Sequence, residues 1–147
     1  MESIRPEVNY RHLTIQDFKE VTSLWQSSEN IGLSQADSYE QLAKYLERNP
    51  GLSFIALVNN RIAGAVLCGH DGRRGSIYHL AVSPQYRGFG IGRELVNLCL
   101  KGLAQANIER CHIHVYAENQ SGLAFWKNNG WFTRPELELL SIDIAVD

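Results

Sequence analysis

Two stretches of the chain carry side chains able to move a proton near neutral pH. In "CHIHVYAEN", residues 111–119, His112, His114 and Tyr116 alternate with Ile113 and Val115, so an extended backbone puts the polar set on one face. In "GSIYHLAV", residues 75–82, Ser76 and Tyr78 alternate with Ile77 and His79, which places Tyr78 on one face and leaves His79 to pack on the other. Imidazole is the side chain whose ordinary pKa suits proton transfer at neutral pH. A third stretch, "SPQYRGFGIGREL", residues 83–95, sets Gly88, Gly90 and Gly92 at every second position. Alternating glycines weaken any regular element, so they mark a backbone that must take unusual angles or be approached closely. Anion binding needs such a backbone: successive N–H groups face a phosphate at a helix N-terminus, where the helix dipole adds to the attraction.

The elements that would position these residues follow from periodicity. A short extended start over Val8–His12 precedes a helix from Thr14 to Ser27, with Asp17 three residues after Thr14 in an N-capping arrangement. Asp37 or Ser38 caps a second helix whose stripe is Tyr39, Leu42, Ala43 and Leu46, and Pro50 forbids its continuation. "LSFIALV", "RIAGAVLCGH" and "RRGSIYHLAV" read as three antiparallel strands joined at Asn59-Asn60 and Asp71-Gly72, pairs that tolerate positive φ. From Ile91 the period becomes helical through "AQAN", so the glycines sit where a strand becomes a helix. "RCHIHVYAE" returns to strand, "NQSGLAFWKNNGW" is a short helix stopped at Gly130, and "ELELLSIDIAV" closes as a strand after Pro135. The order β, α, α, β, β, β, α, β, α, β predicts an α/β (α+β) fold. The crossover over residues 76–117 should be right-handed and make two strands parallel within a mostly antiparallel mixed sheet.

At 147 residues the chain is expected to form one domain over residues 1–147. A net charge of −2 argues against nucleic acid as the main partner. The apolar run near "IAGAVLC" is too short to span a bilayer, and "MESIRPEVNY" lacks the pattern of a signal peptide, so a cytoplasmic protein is expected. Cys68, Cys99 and Cys111 lie in apolar stretches without CxxC spacing and read as buried thiols. Two other phosphate loops fail against the glycine segment. A Walker A loop needs Lys-Ser/Thr after its last glycine, where Arg93 and Glu94 stand. A dinucleotide fingerprint wants G-x-G-x-x-G at the start of βαβ units, and here G-x-G-x-G follows a meander.

"LAVSPQYRGFGIG" resembles the acetyl-CoA signature of the GNAT acetyltransferase superfamily, Q/R-x-x-G-x-G/A after a strand ending in Leu-x-Val, with Gln85, Gly88 and Gly90 at the defined positions. "ENQSGLAFWKNNGW" resembles the second family signature, N-x-x-A-x-x-x-Y-x-x-x-G-F, with Asn119, Gly130 and Trp131 in place. The likeness covers Thr14 to Val146 in element order and implies a single-domain GNAT fold with a splayed parallel strand pair and about four helices. It implies acetyl-CoA as co-substrate and no metal. The pantetheine arm would lie along the backbone of Leu80, Ala81 and Val82 as an added strand. The pyrophosphate would meet the amides of Arg87, Gly88, Phe89, Gly90, Ile91 and Gly92, with Arg87 or Arg93 adding charge, and Asn119 would bond the arm or the adenylate.

Two positions depart from the family pattern. Gly122 replaces the usual alanine, and Trp126 stands where many members carry the tyrosine that protonates the thiolate, which an indole N–H cannot do. Trp126 is expected to line the acetyl site or to pack, and Tyr78 or Tyr116 to replace the acid. His114, five residues before Asn119, occupies the place where several protein N-terminal acetyltransferases carry a Glu or His base, and is expected to take the amine proton. The oxyanion donor falls to a backbone N–H near Leu80 or Ala81. Glu29, in the loop between the first two helices, would attract a cationic amine. The implied reaction is acetyl transfer to a peptide or protein amine by direct attack in a ternary complex. A small amine (polyamine, amino acid or antibiotic) is the alternative acceptor, and a non-catalytic acyl-CoA-binding module is the reading from another class. Membrane partners are not implied, and a homodimer stays open.

Overall fold

The structure, a computed structural model, describes residues 5–146; the first four residues of the stretch read above for a signal peptide, and Asp147, lie outside the described residues. The chain separates into two compact units, Met1–His114 and Val115–Asp147.

The first unit is a five-stranded sheet in sequential order: β1 (Asn9–His12), β2 (Phe54–Val58), β3 (Arg61–His70), β4 (Gly75–Val82) and β5 (Cys111–Ile113). All neighbours run antiparallel except β4 and β5, which are parallel as expected for strands joined by a helical crossover. Three helices cover it, α1 (Phe18–Gln26), α2 (Tyr39–Arg48) and α3 (Ile91–Gln105). The local signals act as read. Thr14 and Asp17 form a capping box, with the Thr14 N–H donating to Asp17 Oδ2 at 2.9 Å, and one 3₁₀ turn leads into α1. The Ser38 hydroxyl caps α2 by accepting from the Gln41 N–H. Asn59 and Asn60 both take positive φ, 51° and 61°, in the β2–β3 turn. The Tyr39 side chain, read as part of the α2 stripe, is instead exposed and packs edge-on to Phe18.

The sheet is buried on both faces. On one, Val21, Leu24 and Trp25 of α1 and Leu42 of α2 pack on Ile55, Ala65, Leu67 and Ala81. On the other, α3 buries Ile91, Leu95, Val96, Cys99 and Leu103. Fully burying each aliphatic side chain contributes about 1.5–3 kcal/mol, so the two layers dominate the stability of this unit. Gly64 lets α3 come this close: a Cβ there would lie 3.1 Å from Leu95 and 3.2 Å from Ile91.

The second unit holds α4 (Gln120–Asn128), whose Asn119 cap accepts from the Gly122 N–H at 3.0 Å. The expected closing strand does not form. Residues 135–146 have no ladder partner among the described residues, and Leu139, Leu140, Ile142, Ile144 and Val146 stay exposed. Alternation makes a segment competent for a sheet, but a strand exists only where a neighbour accepts its hydrogen bonds. Among the described residues no helix is long and apolar enough to cross a membrane.

Candidate active site

The site grows from the end of β4. β5 pairs with β4 only from Gly75↔Cys111 to Ile77↔Ile113, while β4 runs on to Val82. From Tyr78 onward the β5 side of β4 has no strand partner among the described residues, so the N–H and C=O groups of Leu80 and Val82 border an opening a ligand can fill as an added strand. The strand expected over 110–118 is thus reduced to its first residues. His114 falls just beyond it, and Tyr116 lies in the second unit, exposed. Tyr78 and His114 each follow the last paired residue of their strand, Ile77 and Ile113, and both are exposed where the strands part.

β4 then passes into the glycine turn. Pro84–Tyr86 make one 3₁₀ turn, Gly88 and Gly90 take φ of 86° and 81°, and α3 begins at Ile91 with Gly90 as its cap. A Cβ built on Gly88 or Gly90 meets no atom within 4 Å, so these glycines are not demanded by packing inside the protein. Positive φ and open space outside the backbone are the reasons that remain. The amides of Ile91, Gly92 and Arg93 open the helix without intrahelical acceptors, which suits an anion. Gln85 and Arg93 are exposed on this turn, and the Phe89 carbonyl accepts from Arg5 at 2.9 Å. Arg87 donates through Nε to the Val82 carbonyl at 3.0 Å and pairs with Glu29 at 2.9 Å. Glu29, expected to attract an amine, is therefore engaged by Arg87 of the glycine turn.

A residue set aside by the strand alternation becomes central here. β4 carries a bulge, in which His79 and Leu80 together oppose Val66 of β3, between the pairs Leu67↔Tyr78 and Ala65↔Ala81. At φ 55° His79 does not face α3; its ring lies 5.1 Å from Trp25 of α1 and 6.5 Å from Tyr78. Its carbonyl accepts from the Trp25 indole N–H at 2.7 Å, and its Nε2 lies 2.9 Å from Asp37 Oδ1. His79, Trp25 and Asp37 thus form a cluster on the Tyr78 face. Nothing within the strand signals it, because the bulge is set by register with β3.

Tyr45 of α2 stacks edge-on to Tyr78 at 6.3 Å; its hydroxyl is buried without a partner, and burial pushes its pKa up. Cys68 and Cys99 are buried and Cys111 half-buried, all three as free thiols; burial raises the Cys111 thiol to about 12, and hydrogen bonding with Cys68 together with burial raises Cys99. Cys99 and Cys111 are thereby held as thiols, and Cys68 is enclosed in the core away from any substrate. In the hairpin 71–74 the Asp71 carboxylate accepts from the Arg73 and Arg74 N–H groups at 2.8 Å, which lowers its pKa and marks it as turn chemistry.

In the second unit Asn119 Oδ1 is taken up by the cap and by Ser121 at 3.3 Å. The departure at Gly122 has a local cause: a Cβ there would collide with the Asn119 side-chain amide, so glycine gives the cap room. Trp126 is buried and packs on Trp131 and Phe125 at 4.8 and 5.1 Å.

Residues 18–131 match the model of the Acetyltransferase (GNAT) family. An acetyltransferase of Pectobacterium atrosepticum is 32% identical over 111 residues, 76% of this chain and 78% of that protein. The fold is similar to that of a PaiA N-acetyltransferase from Thermoplasma acidophilum in complex with coenzyme A, with a TM-score of 0.78, 19% identity, and 87% and 91% of the two chains covered. It is also similar to a chain of the NatC complex bound to a Gag peptide and CoA, with a TM-score of 0.73, 24% identity, and 86% and 85% covered.

Proposed function

Since the chain belongs to the GNAT acetyltransferase family, we propose that it transfers the acetyl group of acetyl-CoA to a primary amine, a peptide or protein amine in particular, by direct attack in a ternary complex. The observation that carries this reading is the unpaired β4 edge running straight into a glycine turn and the N-terminus of α3. The backbone of Leu80, Ala81 and Val82 holds the pantetheine arm, and the amides of residues 88–92, extended to Arg93 by the start of α3, hold the pyrophosphate, with the side chains of Gln85, Arg87 and Arg93 beside it; the Arg87 N–H, expected among these amides, donates instead to the Pro84 carbonyl at 3.3 Å. Asn119 and Trp126 are assigned to the same donor.

In the transfer the amine nitrogen bonds to the thioester carbon, the C–S bond breaks, and the amine proton passes to His114 and on to solvent. A lysine-type amine with a pKa of about 10.4 is almost wholly protonated at pH 7, so a base at the mouth of the cleft raises the reactive fraction. The leaving thiolate, of pKa about 8.5, takes its proton from Tyr78, Tyr116 or water. A backbone N–H at the bulge, near Leu80 or Ala81, bears the oxyanion. Direct attack is favoured because the three cysteines are buried or held as thiols.

The test is CoA-thiol release from acetyl-CoA across unblocked peptides, spermidine, free amino acids and an aminoglycoside, with wild type and His114→Ala. Release with the peptides, and loss of about 100-fold or more in kcat/KM together with the acid limb of the pH profile in the variant, is the expected result. Release only with the small amines moves the acceptor class. CoA binding without release to any amine replaces the enzyme reading by a binding module, and an unchanged profile in the variant removes His114 from proton transfer.

A further inference from the structure

His79 carries more than packing requires. Its positive φ costs an L-residue roughly 1–2 kcal/mol, and such strain persists only where the surroundings over-determine it. Three contacts do so: the Trp25 indole on its carbonyl, the Trp25 ring against its own, and Asp37 at its Nε2. Asp37 is itself fixed, since its other oxygen accepts from the Ser34 N–H at 3.0 Å in a capping box. The two side chains are only 16% and 13% exposed, whereas Arg87 and Glu29 are 47% and 70% exposed. Water therefore competes for the His79–Asp37 contact much less.

A histidine beside a carboxylate suggests proton transfer, but the geometry is wrong for that. The outer nitrogen, Nε2, is taken by Asp37, and Trp25 lies against the ring. Only Nδ1 is left, next to the residue's own backbone. What the pair does accomplish is mechanical. It ties the segment between α1 and α2 to β4 at the bulge, on the face that carries Tyr78 and just where the β5 ladder has ended. Asp37 therefore stands against the bulge at which the open β4 edge begins.

We propose that Asp37 and His79 are positioning residues: their pair pins residues 34–38 to the β4 bulge and so sets the acceptor wall of the cleft. This rests on the acetyl-transfer reading for the purpose of the wall, while the pinning is measurable without any acceptor. His79→Asn keeps a residue that tolerates left-handed φ but is too short to reach Asp37. Asp37→Asn removes the charge and retains an acceptor for Ser34. Hydrogen exchange on the CoA-free protein should show the amides of 34–38 exchanging about tenfold faster in both variants, with those of α3 unchanged. With an unblocked heptapeptide as acceptor, KM for the peptide should rise about tenfold while kcat and KM for acetyl-CoA stay within about threefold. Unchanged exchange at 34–38 in the variants overturns the proposal, as does a fall in kcat with a displaced acid limb and an unchanged peptide KM, which assigns His79 to proton transfer. If wild type acetylates no peptide, the exchange result stands alone and decides. If His79→Asn does not fold, Asp37→Asn carries the same comparison.

Discussion

Replacing Gly90 separates two reasons for a glycine in the turn before α3. Gly90 sits at φ 81°, and an added Cβ meets nothing within 4 Å. Gly90→Ala therefore adds no clash, and its cost to the free protein is the left-handed backbone alone, about 1–2 kcal/mol. For 147 residues, at about 0.7 kcal/mol of unfolding enthalpy per residue, the melting entropy is about 0.3 kcal/mol/K, so Tm should fall by about 3–6 °C. If the open space above the turn receives the pyrophosphate, the methyl group also blocks close approach, and CoA should bind at least about tenfold more weakly, about 1.4 kcal/mol. Gly90→Asn tells the two apart, because asparagine tolerates left-handed φ yet still carries a side chain. Calorimetric melting of the free protein and titration with CoA should show Asn recovering most of the lost Tm but none of the lost affinity. If Gly90→Asn binds CoA as wild type does, the turn is not approached by the anion. A drop beyond about 10 °C in Gly90→Ala refutes the premise that the Cβ points into free space.

Three further outcomes follow from buried contacts. Trp25→Phe removes part of a fully buried ring and orphans the His79 carbonyl, and should cost about 2–4 kcal/mol in urea unfolding; a loss under about 1 kcal/mol means the 2.7 Å bond does not hold the bulge. Burial raises the Asp17 pKa, but the Arg11 guanidinium at 2.8 Å and the Thr14 N–H outweigh it, so the net folded value is below the ordinary one. Its stabilisation is thus full above the unfolded pKa of about 3.9 and lost as pH falls through the lowered folded value; the gap in urea midpoint between wild type and Asp17→Asn should be constant above about pH 5 and close below about pH 4, and parallel curves to pH 3 refute it. Gly122→Ala displaces the Asn119 side chain and should cost about 1 kcal/mol of capping, read by hydrogen exchange in the first turn of α4, with no change expected if the cap is dispensable.

The sequence by itself determined whatever is decided within a few residues. Thr14 with Asp17 and Ser38 mark helix starts because a side-chain oxygen must meet an N–H two or three positions on. Asn59-Asn60 marks the hairpin because both residues must take positive φ. In the G-x-G-x-G series after a strand, Gly88 and Gly90 mark a turn for the same local reason, while Gly92 already lies in α3, and the series carries the resemblance to the family the chain belongs to. Tertiary structure alone decided features that depend on partners far along the chain. "ELELLSIDIAV" has the pattern of a strand and is none, because alternation states what a segment can pair with and not whether a neighbour is there. Strand alternation put His79 on the face opposite Tyr78, and one extra residue in the register against Val66 turned it toward Trp25, 54 positions away, and Asp37, 42 positions away. A bulge is a property of two strands at once, so no reading of one of them locates it.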